Sequence, residues 1–320
     1  MDTLSTPVTA HNLSAWFILA PEPDTGAPTD RDYSVLEESV EAQTALVHET
    51  GQVRELLIEN TGDVDLFIQA GDIVKGGRQD RSIGVDFIVP AKSGRIPLPA
   101  FCVERARWHR RKAESAAHFA TAKDFLASKK ARLALRLAKD QHAVWDSVAK
   151  EQQSLESALG HGVHAFDSPT SLQLTYEHEG VRHAIEDYTT ILEAAPATAG
   201  GRVVGVVWAI NGVPSHADRY ASPKLFAKLW RKLLRAAATE AIGSRTASRE
   251  PASEPAALTA ADIHAWLAGH GADRQRTAED EQLPPRTRLR TQQGVGQHRF
   301  EAFDVGWSSE VPVHVAVLAE

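Results

Sequence analysis

The run Gly201-Arg202-Val203-Val204-Gly205-Val206-Val207-Trp208-Ala209-Ile210 is the most apolar stretch of the chain and limits its fold more than any other segment. It is rich in β-branched residues and falls well short of the ~18 apolar residues a membrane span needs. It reads as a central strand buried on both faces. Asn211-Gly212 follows directly, and that dipeptide favours the tight turn of a hairpin. Ser222-Pro223 then offers an N-cap followed by proline at the first helical position. Phe226, Leu229, Trp230, Leu233, Leu234, Ala237 and Ala241 recur at three-to-four spacing, and Gly243 is a natural stop.

The segments on either side continue the pattern. Strand-like runs are expected at 15–19, 44–48, 53–59, 64–69, 83–89 and 95–103, with Asn60-Thr61-Gly62-Asp63 as a hairpin-like turn. Ser34-Val35-Leu36-Glu37 has capping-box spacing and predicts a short helix to about 41. Residues 114–159 are rich in Ala, Leu, Lys, Gln and Glu and predict helix, broken near 128–130 and ended by Gly160. A strand is expected at 172–176, a helix at 182–193, a short helix at 259–267, and strands at 297–305 and 311–318. Strands, then helices, then strands argue for an α+β fold: an antiparallel core, sandwich or roll-like, from the N-terminal, central and C-terminal strands. We read a single domain over 1–320, with a helical insertion at about 111–195 and a mobile linker at about 244–258.

Composition narrows the class. The chain has 320 residues, 42% hydrophobic and 24% charged, with a formal net charge of -7, as expected of a globular protein without a membrane span. Cys102 is the single cysteine, so no internal disulfide or Cys-based zinc site can form, and a reducing cytoplasm is expected. The start, Met1-Asp2-Thr3-Leu4, lacks the basic region of a secretory signal. Charge is unevenly spread. Residues 1–72 are strongly acidic, whereas 105–139 carry 11 bases and 2 acids. These segments could face each other within the fold or across a homo-oligomer, or the basic one could bind an anion. Nucleic acid is disfavoured as a partner, because the bases at 129, 130, 132, 136 and 139 spread around a helix instead of forming a stripe. Neither the Gly-x-Gly-x-x-Gly fingerprint nor a Walker A sequence occurs, and no cofactor is expected.

Two segments could carry chemistry. Gly71-Asp72-Ile73-Val74-Lys75-Gly76-Gly77-Arg78-Gln79-Asp80-Arg81 is a glycine-rich basic turn between strands. Gly76 and Gly77 would let the backbone approach a ligand, and Lys75, Arg78 and Arg81 would add phosphate donors. The alternative is a hairpin with solvated charges. The second segment, Cys102-Val103-Glu104-Arg105-Ala106-Arg107-Trp108, offers Glu104 as a base or an orienting group and Trp108 as a stacking ring. Its alternative is an ion pair with a core tryptophan. Cys102 has no local base to lower its pKa and reads as a small buried hydrophobe.

These segments resemble a known family. YSVLEESVE, VRELLIENTGDVDLFIQAGDIVKGGRQDRS, FIVPAKSGRIPLPAFCVERARW and GVVWAINGVPSHADRYASPKLFAKLWRKLLRAAATEA are similar to the ARG and Rhodanese-Phosphatase-superfamily-associated Protein domain, where ARG is ADP-ribosylglycohydrolase. The family's pattern maps onto Gly71, Asp72, Gly77, Arg78, Gln79, Asp80, Arg81, Cys102, Glu104, Arg107, Trp108 and Asp218. Asp80 stands where Asn is commoner, and Ala106 where Gly is commoner. The resemblance covers 33–243 firmly and the C-terminal strands loosely. It implies the company of ADP-ribose and NAD chemistry, with no settled reaction.

The expectation that follows is a protein that binds, and could process, a phosphorylated nucleotide such as ADP-ribose. Glu104 and Asp80 would be its acid/base groups. Gly76, Gly77, Arg78, Gln79, Arg81, Arg107, Trp108 and Asp218 would bind the ligand. The competing expectation is a non-catalytic scaffold whose Gly/Arg loop is structural. His161-x-x-His164 and His216-x-Asp218 lack a full ligand set, so no metal is expected. Asp218 could instead be a turn residue ahead of the Ser222 cap, and Glu240 a buried partner for an arginine.

Overall fold

In the computed structural model the described residues are 2–21, 32–105, 107–111, 114–138, 140–245, 258–269, 278–306 and 310–320. They form two compact units. Residues 246–257 of the expected linker lie outside the described residues.

The first unit takes residues 1–32, 187–230 and 244–320. Its nine-stranded sheet runs Thr3–Leu4, Leu13–Ala20, Arg202–Ile210, Val213–Tyr220, His314–Ala319, Gln297–Asp304, Thr287–Gly294 and Ala278–Leu283, with Val8–Ala10 also paired to Leu13–Ala20. Every pairing is antiparallel. Arg202–Ile210 lies mid-sheet and is buried from its second residue onward, as its composition demands. Asn211 and Gly212 both have positive φ, 53° and 75°, the conformation of a twist-matched hairpin turn. One sheet face carries Trp16, Ile18, Val204, Val207, Ala217, Val315 and Val317, covered by Ile263 of the helix Ala260–Ala268. Elsewhere Trp208 stacks on Trp230 at 5.5 Å. Ser222 caps the helix Pro223–Gly243 by accepting the Leu225 N–H at 3.2 Å.

The second unit takes residues 33–186 and 231–243. Six strands close into a barrel in the order Ser93–Cys102, Glu55–Asn60, Ala45–His48, His118–Leu126, Asp72–Gly76 and Arg81–Ile83. Ser34–Val35, Leu66–Ile68 and Phe87–Val89 form a small separate sheet. The class is α+β as expected.

Four local expectations fail. The run 83–89, read as one strand, divides between Arg81–Ile83 of the barrel and Phe87–Val89 of the small sheet. His118–Leu126, read as helix, is a strand that pairs with both Asp72–Gly76 and Ala45–His48 and so completes the barrel. Asp124 there has φ 59°, which no helix accepts. Residues 172–176, read as strand, lie in the helix Leu172–Glu177, capped by Ser171, whose hydroxyl accepts the Leu174 N–H at 3.1 Å. The helix Leu36–Glu41 forms, but Ser34 does not cap it. The Ser34 hydroxyl instead donates to the Asp65 carbonyl at 3.4 Å, and Glu37 accepts the Asp124 N–H at 3.1 Å.

Candidate functional site

The glycine turn joins Asp72–Gly76 to Arg81–Ile83 in the barrel wall. Gly76 and Gly77 have φ of 130° and 53°, the region that favours glycine. A Cβ on Gly77 would lie 2.5 Å from the Phe119 ring and 2.6 Å from a Glu49 oxygen. The turn's N–H groups are met by the protein itself. Gly76 N–H donates to Asp80 Oδ1 at 3.2 Å, Gly77 N–H to the Ser115 carbonyl at 3.1 Å, and Arg78 N–H to Glu49 Oε2 at 3.0 Å.

Asp80 and Glu104 are both fully buried at the centre of an ion-pair network. Asp80 Oδ1 accepts from Arg107 at 3.3 Å and from Arg111 at 2.5 Å, and Oδ2 accepts from the Ser171 hydroxyl at 2.9 Å. Glu104 Oε1 accepts from Arg107 Nε at 2.7 Å and from Arg111 at 3.4 Å, while Oε2 accepts the Asp80 N–H at 2.9 Å. Gln79 Nε2 donates to the Glu104 carbonyl at 2.9 Å. Burial favours the neutral form of both carboxyls. For Asp80 burial, helped by the Glu104 charge, wins and raises the pKa. For Glu104 the hydrogen bonds from Arg107, Ser168 and the Asp80 N–H outweigh burial and lower it. Burial also opposes the charge of Arg111, but Asp80, Glu104 and Glu114 outweigh it and hold the guanidinium firmly protonated.

The remaining expected residues separate. Arg81 is fully buried, and Nη1 donates to Gln79 O at 3.0 Å and Oε1 at 3.4 Å, while Nε and Nη2 have no hydrogen-bond partner among the described residues. Cys102 is buried, its thiol donates to the Glu104 carbonyl at 2.8 Å, and burial raises its pKa, which disfavours the thiolate a nucleophile needs. Asp218 belongs to the other unit, in a strand instead of a turn, where its Oδ1 lies 3.1 Å from His314 Nε2. Glu240 does find a buried basic partner, and it is a lysine, Lys129, at 3.4 Å.

Two clefts of the barrel unit open beside the network. The larger, about 1260 Å³, is lined by Lys75, Arg110, Arg111, His118, Asp167 and Glu177, among others. The smaller, about 580 Å³, is lined by Gly77, Arg78 and Trp108. His109 and Arg110 belong to both walls. Trp108 is 45% exposed, and the Arg78 guanidinium lies over its ring at 5.3 Å. Arg111 therefore has one side fixed by buried carboxylates and the other in a cleft. Sequence reasoning did not single out Arg111, Ser171 or Glu49. Ser171 was findable as a cap two residues after Pro169, whereas nothing distinguished Arg111 from its basic neighbours.

Among the described residues, no group of three or more His, Cys, Asp and Glu side chains could hold a metal ion. No helix among them is long and apolar enough to cross a membrane. No curated protein and no solved structure matches the chain. The family description that does match spans residues 3–316 and takes in both units, so the chain belongs to the ARG and Rhodanese-Phosphatase-superfamily-associated Protein domain family.

Proposed function

We propose that the barrel unit binds a phosphorylated nucleotide, with Asp80 and Glu104 acting by fixing Arg107 and Arg111. The observation that carries this reading is Arg111: it lines the larger cleft while Asp80 at 2.5 Å and Glu104 at 3.4 Å hold it from behind. A guanidinium immobilised before the ligand arrives loses little entropy on binding phosphate. Arg110 and Arg78 add cationic groups at the cleft walls, and Trp108 adds an exposed aromatic ring. The family's name links it to ADP-ribosylglycohydrolase, which is consistent with a nucleotide.

Arg110 gives the cleaner test, since it is exposed and has no ion-pair partner among the described residues. Calorimetric titration with AMP and ADP should give binding that weakens about tenfold in Arg110→Ala, with the melting temperature unchanged. No heat and no thermal stabilisation at millimolar nucleotide would rule the proposal out.

The enclosure of Asp80 and Glu104 favours a second reading, a network that only holds the barrel closed. On that reading Gln79→Ala lowers the melting temperature and no nucleotide raises it.

A further inference from the structure

We infer that the ligand has two parts: a planar base in the smaller cleft, and a diphosphate carrying a hydroxylated group in the larger one. The inference rests on the nucleotide reading above and specifies the class of nucleotide. Two observations lead to it.

The first is the division of the space. Compact ligand pockets run from about 300 to 1,000 Å³. The cleft of about 580 Å³ beside Trp108 suits a single ring system with its sugar. The cleft of about 1260 Å³ is more than a second phosphate fills. Because His109 and Arg110 line both, a ligand running from one to the other passes Arg110. A diphosphate bridge is the part of a nucleotide that profits from a guanidinium at that point.

The second is the charge of the larger cleft, which is mixed. Its bases Lys75, Arg110, Arg111 and Lys123 are accompanied by Glu114, Asp167 and Glu177. Lys75 is held by Glu177 at 2.7 Å, and Arg111 by Glu114 at 2.8 Å. A third phosphate would meet carboxylates there at a Coulombic cost. Sugar hydroxyls would donate to the same carboxylates. Asp167 is exposed and has no hydrogen-bond or ion-pair partner among the described residues, so its oxygens are open to such a donor. The cleft thus selects a nucleoside diphosphate capped by a polyol over a nucleoside triphosphate.

Calorimetric titration of the full chain with AMP, ADP, ATP and ADP-ribose tests the inference. ADP-ribose should bind about tenfold tighter than ADP, the worth of one or two hydrogen bonds to a charged group, and ATP no tighter than ADP. Asp167→Asn should remove most of the ADP-ribose advantage and leave AMP binding unchanged. Trp108→Ala should weaken AMP and ADP-ribose by the same factor, about fivefold or more. If AMP and ADP bind while ADP-ribose gains nothing, or if ATP binds tightest, the two-part ligand is wrong and the nucleotide reading survives. If no nucleotide binds, both fall.

Discussion

Glu151 departs furthest from what its sequence neighbourhood suggests. It sits in the helix Gln141–Leu159, where Tyr176 and Ser128 each donate a hydroxyl hydrogen bond to it at 2.6 Å. Burial, reinforced by Glu240, raises its pKa to about 7 against the pull of those hydrogen bonds. An acid whose folded pKa exceeds its unfolded value binds its proton more tightly in the native state. Its contribution is complete below the unfolded pKa of 4.5 and is lost as pH rises to about 7. Stability should therefore fall by about 3 kcal/mol over that interval from this group alone. Glu151→Gln should flatten that part of the profile in urea denaturation, because glutamine cannot ionise; its amide oxygen can accept one of the two hydroxyls and its amide nitrogen can donate to the other. A wild-type profile that rises between pH 5 and 7 to the same extent as the variant's would contradict this account. At this scale Glu104 was legible from its segment's composition, and Gln79 and Arg107 through the family resemblance. Glu151 and Arg111 were not, because a charged residue on a helix or in a basic run looks solvated until its neighbours are known.

Elements were legible where local signals and burial agree. Asn211-Gly212, the Ser222 cap and the Gly160 stop at φ 74° all form as their residue types require. His118–Leu126 is the counterexample. Ala, Lys and Phe left helix open, yet pairing to two neighbouring strands outweighs a propensity difference of a few tenths of a kcal/mol per residue. Gly205 shows tertiary packing from the other side. It pairs with Arg219 in the next strand, and a Cβ there would lie 2.4 Å from the Asp218 carbonyl oxygen and 2.8 Å from the Arg219 Cα. Backbone cannot step aside as a flexible side chain can. Gly205→Ala should cost more than about 2 kcal/mol by denaturant titration. A loss under about 0.5 kcal/mol would mean the strands separate freely at this point.

For the whole molecule, charge arithmetic anticipated an imbalance, and the structure divides its basic part between interior and surface. The basic stretch 105–139 is not one solvated helix face: Arg105, Arg110, Lys123 and Lys130 are exposed, and others turn inward. Lys129, Arg107, Arg132 and Arg136 are buried, and the segment's partners include Asp80, Asp86, Glu104 and Glu240 outside the acidic first 72 residues, while Lys123 lies 3.7 Å from Glu41 within them. Arg136 and Asp86 meet at 3.2 Å with side chains 3% and 0% exposed. Buried pairs are screened little by salt, so the melting temperature should change only slightly between about 50 mM and about 500 mM NaCl. A steep loss with salt would show that exposed pairs carry the stability. Removing one member is different: Arg136→Met strips a buried carboxylate of its guanidinium and should cost about 3 to 5 kcal/mol in thermal unfolding.

By itself the sequence determined what short-range physics decides: the class of fold, the buried strand Arg202–Ile210 with its hairpin turn, the glycine turn, and the residues worth suspecting. Tertiary structure decided which of them meet. Closure of the barrel brings the turn carrying Asp80 beside the strand end carrying Glu104, so that Arg107 and Arg111 bridge them, while Asp218 pairs with His314 in another unit. Such pairings span tens of residues, and their energy depends on distance and burial, neither of which is written in residue order.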